Sequence, residues 1–189
     1  FVSNQLRDFR MNGVDKDDET RERIRVLSDE IVKTGQEFAK NIADDVRSIE
    51  VESAELLAGM PEDWIAAHPP GEDGLITITT NYPDYLPFRK YAENDEIRKA
   101  LTFEFLNRGY PQNEAVLERL LQKRFELARL TGYDNWAERA IADKMVGSAE
   151  NANEFIENGS AASEPRARKD YADLLERLQG IEPGAENVN

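Results

Sequence analysis

The sequence predicts a mostly α protein: a multi-helix bundle with one long N-terminal helix and a small two-stranded β element. Three observations predict it. Apolar residues recur at helical spacing along most of the chain. Only two short runs, 46–51 and 75–80, are rich in β-branched residues. Charged residues make up 33% of the chain against 40% apolar, a balance suited to amphipathic helices with solvated outer faces.

Residues 1–16 read as irregular, with Gly13 as a turn signal. Asp17 and Asp18 then supply N-caps for a helix over about 18–45. Its apolar positions, Ile24, Leu27, Ile31, Phe38 and Ile42, stay on one stripe. Such a helix is about 40 Å long, which suits a bundle or a helical wall. Val46–Val51 reads as a short strand, and Leu75–Thr80 as the clearest strand in the chain; the two are expected to pair as a hairpin. Between them, Ser53 is expected to cap a brief helix ended by Gly59, and Pro61 to open another that Pro69-Pro70-Gly71 stops.

Tyr82-Pro-Asp-Tyr85-Leu-Pro87-Phe88 reads as a rigid aromatic connector, because proline disfavours helix at the preceding residue. Helices follow: one from Asn94 with Ile97, Leu101, Phe105 and Leu106, then one capped by Asn113 and ended by Gly132. A third starts after Asp134 or Asn135 and carries Met145 up to Gly147. Ser148 caps a fourth, and Glu164-Pro165 opens a fifth with Tyr171, Leu174, Leu175 and Leu178 inward. Gly180 ends it, which leaves residues 181–189 as a tail.

The net charge of −14 repels phosphate backbones and anionic lipid, so no nucleic-acid partner and no membrane partner are expected. The run Arg21-Glu22-Arg23-Ile24-Arg25 interleaves acid with base and reads as a solvated helix face. No apolar run reaches the roughly 18–20 residues of a membrane span. The chain has no Cys, which excludes disulfides and thiolate metal sites and fits a cytoplasmic protein. It begins with Phe1, which suggests a piece of a longer product.

Chemistry is marked by what is missing. Hydrolytic zinc sites draw on two or three His or Cys at set spacing, and this chain has one His and no Cys. His68 has no partner four residues away, so no His-Glu-x-x-His motif forms; it reads as a satisfied structural or surface side chain. No Gly-x-Ser-x-Gly elbow, Gly-rich phosphate loop or Asp-rich calcium loop is present. The acidic pairs Asp17-Asp18, Asp44-Asp45 and Glu62-Asp63 read as helix caps and outer faces. No catalytic, cofactor-binding or metal-ligating residue is assigned to this chain.

A series of segments carries a resemblance. Phe9-Arg-Met-Asn-Gly13-Val leads into the long helix with Phe38-Ala-Lys-Asn41. Leu57-Ala-Gly59-Met-Pro61-Glu-Asp follows, then Tyr82-Pro-Asp-Tyr-Leu-Pro87-Phe-Arg-Lys-Tyr91-Ala. Arg98-Lys-Ala-Leu, Arg108, Asn113, Arg124-Phe-Glu-Leu-Ala128-Arg-Leu-Thr-Gly132-Tyr133 and Met145 come after in order. Together, across about residues 5–178, they resemble the N-terminal half of the M3 zinc oligopeptidases, the thimet oligopeptidase and oligopeptidase A group.

The resemblance implies a largely helical clam with a deep channel that admits short peptides, with zinc held on the C-terminal side. None of the zinc-site positions lies in this sequence, so zinc is implied only for a full-length parent. Residues 1–180 would be the helical N-terminal region, supplying scaffold and channel wall. The implied partners are the remainder of the parent chain and short peptide substrates. Arg98, Arg108 and Arg124 read as structural ion pairs ahead of peptide-terminus binding. Tyr82, Tyr85, Phe88 and Tyr91 read as packing ahead of channel lining. The alternative to a peptidase fragment is a stand-alone helical protein-interaction module.

Overall fold

Asp17 starts the long helix by the expected mechanism: its Oδ1 accepts the Thr20 N–H at 2.8 Å. The computed structural model describes residues 2–188. Its elements are α1 (Val2–Met11), α2 (Asp18–Asp44), β1 (Ser48–Val51), a 3-10 turn (Ala54–Leu57), α3 (Glu62–Ala66), β2 (Ile76–Thr79), α4 (Tyr82–Tyr91), α5 (Asp95–Leu106), α6 (Gln112–Leu130), α7 (Trp136–Ile141) and α8 (Ala149–Ile181). The predicted class is the observed one: mostly helical, with a long early helix and a two-stranded antiparallel sheet.

The chain divides into two compact units, Arg25–Arg124 and the pair of segments Phe1–Ile24 and Phe125–Asn189. In the first, β1 and β2 pair with Ile49 opposite Ile78 and Val51 opposite Ile76. Period-two alternation sends these four side chains to one face. Val51, Ile76 and Ile78 are fully buried there with Leu57, Met60, Tyr85, Phe88, Ala92 and Leu101. Ile97 and Phe105 of α5 pack against this core, so α4 and α5 close the inner face of the hairpin. In α2, Thr34 is buried where the apolar stripe skips a position, its hydroxyl donating to the Glu30 carbonyl at 2.7 Å.

Several expectations are corrected. Residues 2–11 are helical, not irregular. Val2, Leu6 and Phe9 already have helical spacing, and Gly13 ends the helix at φ 75°. There the Val14 N–H bonds the Phe9 carbonyl at 3.0 Å and the Gly13 N–H bonds the Arg10 carbonyl at 2.9 Å, a Schellman closure. Gly132 closes α6 in the same way, as expected.

The expected connector 82–88 is helix α4. Pro83 falls in the first turn, where a missing N–H costs nothing, and only Pro87 removes a helical bond. Burial of Tyr85 and Phe88 outweighs that loss. Asn113 does not cap α6 but lies inside it. Ser53 precedes the 3-10 turn without a side-chain cap bond.

The third expected helix stops at Ile141, and Met145 beyond it is fully exposed. The fourth and fifth expected helices are one, α8, with Pro165 inside it. Good helix formers continue on both sides of that proline, and one lost bond does not force a break. The inward placement of Tyr171 and Leu174 fails as well: both are exposed, and α8 contains no buried residue. Within the same unit, Arg139 Nη2 donates to the Met11 carbonyl at 3.1 Å and Arg139 Nε to Thr131 Oγ1 at 3.0 Å. Burial lowers the pKa of this guanidinium from its usual value.

Candidate functional site

The lone histidine sits in a closed arrangement within the unit Arg25–Arg124. Its ring stacks on Trp64 at 3.8 Å between centroids. Nδ1 lies 2.8 Å from the Trp64 carbonyl and Nε2 lies 3.2 Å from Asp84 Oδ1. Asp84 also accepts the Thr79 backbone N–H at 3.2 Å and the Thr79 hydroxyl. Both ring nitrogens are therefore engaged, and the side chain ties α3 to α4 and to the outer edge of β2. The sequence reads it as a satisfied structural or surface side chain, and the structure gives it these partners.

A second polar node lies at the end of α2. Arg47 Nη2 donates to Asp45 Oδ2 at 2.9 Å and to the Tyr110 carbonyl at 2.9 Å, and Nη1 lies 3.5 Å from Glu104 Oε2. The Gly109 N–H donates to the same Asp45 oxygen at 2.8 Å. Hydrogen bonds from Arg47, and then from Gly109, hold the Asp45 carboxyl below its usual range. Asp45 is thus a tie between segments and not an outer-face acid, whereas Asp44 pairs with Lys40 along the helix.

The three arginines part ways. Arg98 pairs with Asp95 on its own helix and donates to the Ala92 carbonyl at the end of α4. Among the described residues Arg108 has no ion pair with a carboxylate: its guanidinium lies over the Phe105 ring at 4.3 Å and the Tyr82 ring at 5.9 Å. Arg124 is half-buried on α6. Of the aromatic set, Tyr85 and Phe88 are buried, with Tyr85 stacked on Phe105 at 3.8 Å. Tyr82 and Tyr91 are exposed. Asn113 Nδ2 donates to the Phe38 carbonyl at 3.0 Å, and its Oδ1 accepts from Asn41 at 2.8 Å, which fastens α6 to α2 inside this unit.

One open cleft of about 380 Å³ lies beside β1. Ser48 and Ile49 form one wall, and Glu96, Lys99, Ala100, Phe103 and Glu104 of α5 form the other. Sequence reasoning did not find it. The available signal was Phe103, an aromatic residue off the stripe of Ile97, Leu101 and Phe105.

Among the described residues, no group of three or more His, Cys, Asp or Glu is placed to hold a metal ion. The donor set does not fit zinc: the single imidazole has both nitrogens occupied and no thiolate exists. No described helix is long and apolar enough to cross a membrane.

Comparison with known proteins places this framework. The model of peptidase family M3 matches residues 88–188. The chain is 33% identical over 181 residues to the thimet-like oligopeptidase of Dictyostelium discoideum, covering 95% of this chain and 27% of that protein. It is 28% identical to oligopeptidase A of Escherichia coli K12, covering 92% of this chain and 28% of that protein. To the mitochondrial intermediate peptidase of Mycosarcoma maydis it is 34% identical, covering 92% and 22%. The chain therefore spans about a quarter of the length of these relatives. With the family model matching more than half of its residues, the chain belongs to peptidase family M3.

Proposed function

We propose that this chain is the helical N-terminal portion of an M3 oligopeptidase, serving as scaffold and channel wall for zinc chemistry carried elsewhere in a longer parent. Residues 1–180 form that portion and residues 181–189 its tail. On this reading the chain alone is not catalytic. Its partners are the rest of the parent and the short peptides the parent hydrolyses, in the cytoplasm. The observation that carries it is the combination of a family M3 match with no metal-holding group among the described residues.

Support comes also from proportion. Relatives named as oligopeptidases are nearly four times as long as the aligned region, which leaves ample sequence for a metal-binding helix. The chain's own chemistry is positional. His68, Asp84 and Thr79 fix one edge of the hairpin, and Asp45 with Arg47 fixes the end of α2. No step of peptide hydrolysis is assigned to any residue here.

Metal analysis of the purified chain, with a quenched fluorescent peptide as substrate, tests the reading. The expected outcome is no stoichiometric zinc and no turnover, with a His-Glu-x-x-His motif in the parent reading frame. Zinc-dependent turnover by these 189 residues alone would overturn it. A parent that lacks the motif would leave the stand-alone interaction module as the better account.

A further inference from the structure

We propose that His68 is a proton-operated latch: with both ring nitrogens protonated it fastens α3 to α4, and with one proton it releases α3. This does not rest on the scaffold reading, because every group involved belongs to the unit Arg25–Arg124.

The ring faces two acceptors. Nδ1 lies 2.8 Å from the Trp64 carbonyl, and Nε2 lies 3.2 Å from Asp84 Oδ1. A carbonyl oxygen only accepts, and so does an ionised carboxylate. Asp84 is kept in that role from its other side. Thr79 gives its Oδ2 a backbone N–H at 3.2 Å and a hydroxyl hydrogen as well. That hydrogen is free to point there because the Thr79 oxygen accepts the Asn81 N–H at 3.2 Å. A neutral imidazole has one N–H and can serve one acceptor. Only the imidazolium makes both bonds. The ring also lies on the Trp64 indole, 3.8 Å between centroids and 23° between planes, and that face attracts a cation.

Other charges on the neighbouring elements are engaged elsewhere or lie in solvent. Among the described residues, Asp84 is the one charged side chain paired with the ring. On α3, Asp63 turns back to the Trp64 N–H at 2.9 Å and Glu62 is exposed. On α4, Arg89 and Lys90 are exposed and lie more than a turn beyond Asp84. In the loop after α3, Asp73 accepts the Leu75 N–H at 3.0 Å and Glu72 is exposed. β2 carries no charge. The helix that the latch holds depends on being held. α3 has five residues, none of them buried, and an isolated helix shorter than about 12–15 residues is marginal in water. It is docked by Trp64 and Ile65, which pack partly buried on the hairpin core, and by His68 just past its end. Once the ring keeps a single proton, either the Trp64 carbonyl or the Asp84 carboxylate meets a lone pair, and one bond is lost. Release of α3 uncovers the core beneath Trp64 and Ile65.

The chain has a single His, so nitrogen NMR of the imidazole follows this ring alone across about pH 5–9. Hydrogen exchange of the Ile65, Ala67 and His68 amides, which bond the Pro61, Asp63 and Ile65 carbonyls, reads α3 at the same pH values, with each rate corrected for its intrinsic pH dependence. Both ring nitrogens are expected to carry protons at the acid end. Protection of α3 is expected to fall at least about tenfold as the second proton leaves. His68→Gln is expected to show no such step. Asp84→Asn is expected to lose it too, because a carboxamide can donate to an unprotonated Nε2 while Nδ1–H keeps the carbonyl; this variant carries the comparison if His68→Gln unfolds. A ring with one proton throughout, α3 protection unchanged across the ring's titration, or a step of the parent's size in either variant would overturn the proposal.

Discussion

The hairpin core and α8 use apolar residues in opposite ways. Around the hairpin, Phe88, Ile78 and Leu101 are fully buried. On α8, Phe155 is 77% exposed and Ile156 is 66% exposed, and no residue of its 33 is buried. The first region is held by packing. The second is held by what a helix supplies for itself: the Ser148 cap on the Asn151 N–H at 3.1 Å and i,i+4 pairs such as Arg166–Asp170 and Glu164–Arg168. Such local terms are worth tenths of a kcal/mol to about 1 kcal/mol each. Removing a buried aromatic ring costs several. The folding free energy of the chain is therefore concentrated near the hairpin, while α8 presents large apolar side chains of the kind that mark contact surfaces.

The sharpest way to break this comparison is a pair of truncations with the same chemistry. Phe88→Ala is expected to cost about 3–5 kcal/mol, because the ring is wholly enclosed and a cavity replaces it. Phe155→Ala is expected to change stability by less than about 0.5 kcal/mol. Denaturant unfolding followed by far-ultraviolet circular dichroism reads both. Equal costs would mean that α8 is buried against something in solution.

A polar pair probes the same contrast at smaller scale. Asn113→Ala leaves the Phe38 carbonyl and the Asn41 amide without their partner inside the unit, an expected loss of about 1–3 kcal/mol in global unfolding. Ser148→Ala removes a cap at the start of α8 and is expected to cost about 1 kcal/mol, felt only as faster exchange in that helix's first turn. A global effect of Ser148→Ala as large as that of Asn113→Ala would show α8 coupled to the packed region.

Legibility in the sequence follows the same division. Where one physical cue dominates, the reading holds: Asp17 and Ser148 as caps, Gly132 as a helix stop, and two β-branched runs as a hairpin. It fails where local and tertiary terms oppose each other. Prolines at 83 and 87 speak against helix, yet Tyr85 and Phe88 find a core to enter, and packing decides. Pro165 fails as a breaker for a local reason, the helix formers on both sides of it. Asn113 looks like a cap because caps are where asparagine is commonest; its bonds to α2 come from residues some seventy positions away, which no local pattern encodes. The isolation of His68 in the sequence says nothing of its neighbours, and its partners Trp64 and Asp84 are legible only in three dimensions. The β1–α5 cleft left one trace, an aromatic residue at 103 off the core-facing stripe, and that alone does not say what stands opposite.

The smallest expected effect lies in acid. Asp45 receives Arg47 and Gly109, and its pKa in the folded state is lowered from the usual 3.8. A carboxylate of this kind adds stability that is fully present above its unfolded value and is lost as pH falls through the lower folded value. Asp45→Asn is therefore expected to be less stable than the parent near about pH 7 and to converge with it in acid, below the ordinary carboxylate range. Asp143 is also lowered, chiefly by its hydrogen bond to Lys144, but that partner is its sequence neighbour. An unfolded chain keeps such neighbours close, so the folded-to-unfolded difference, and with it the acid dependence of Asp143→Asn, is expected to be smaller. Chemical denaturation at stepped pH separates the two. A larger acid slope for Asp143 than for Asp45 would mean that the tie at the end of α2, which joins segments more than sixty residues apart, contributes less than a contact between adjacent residues.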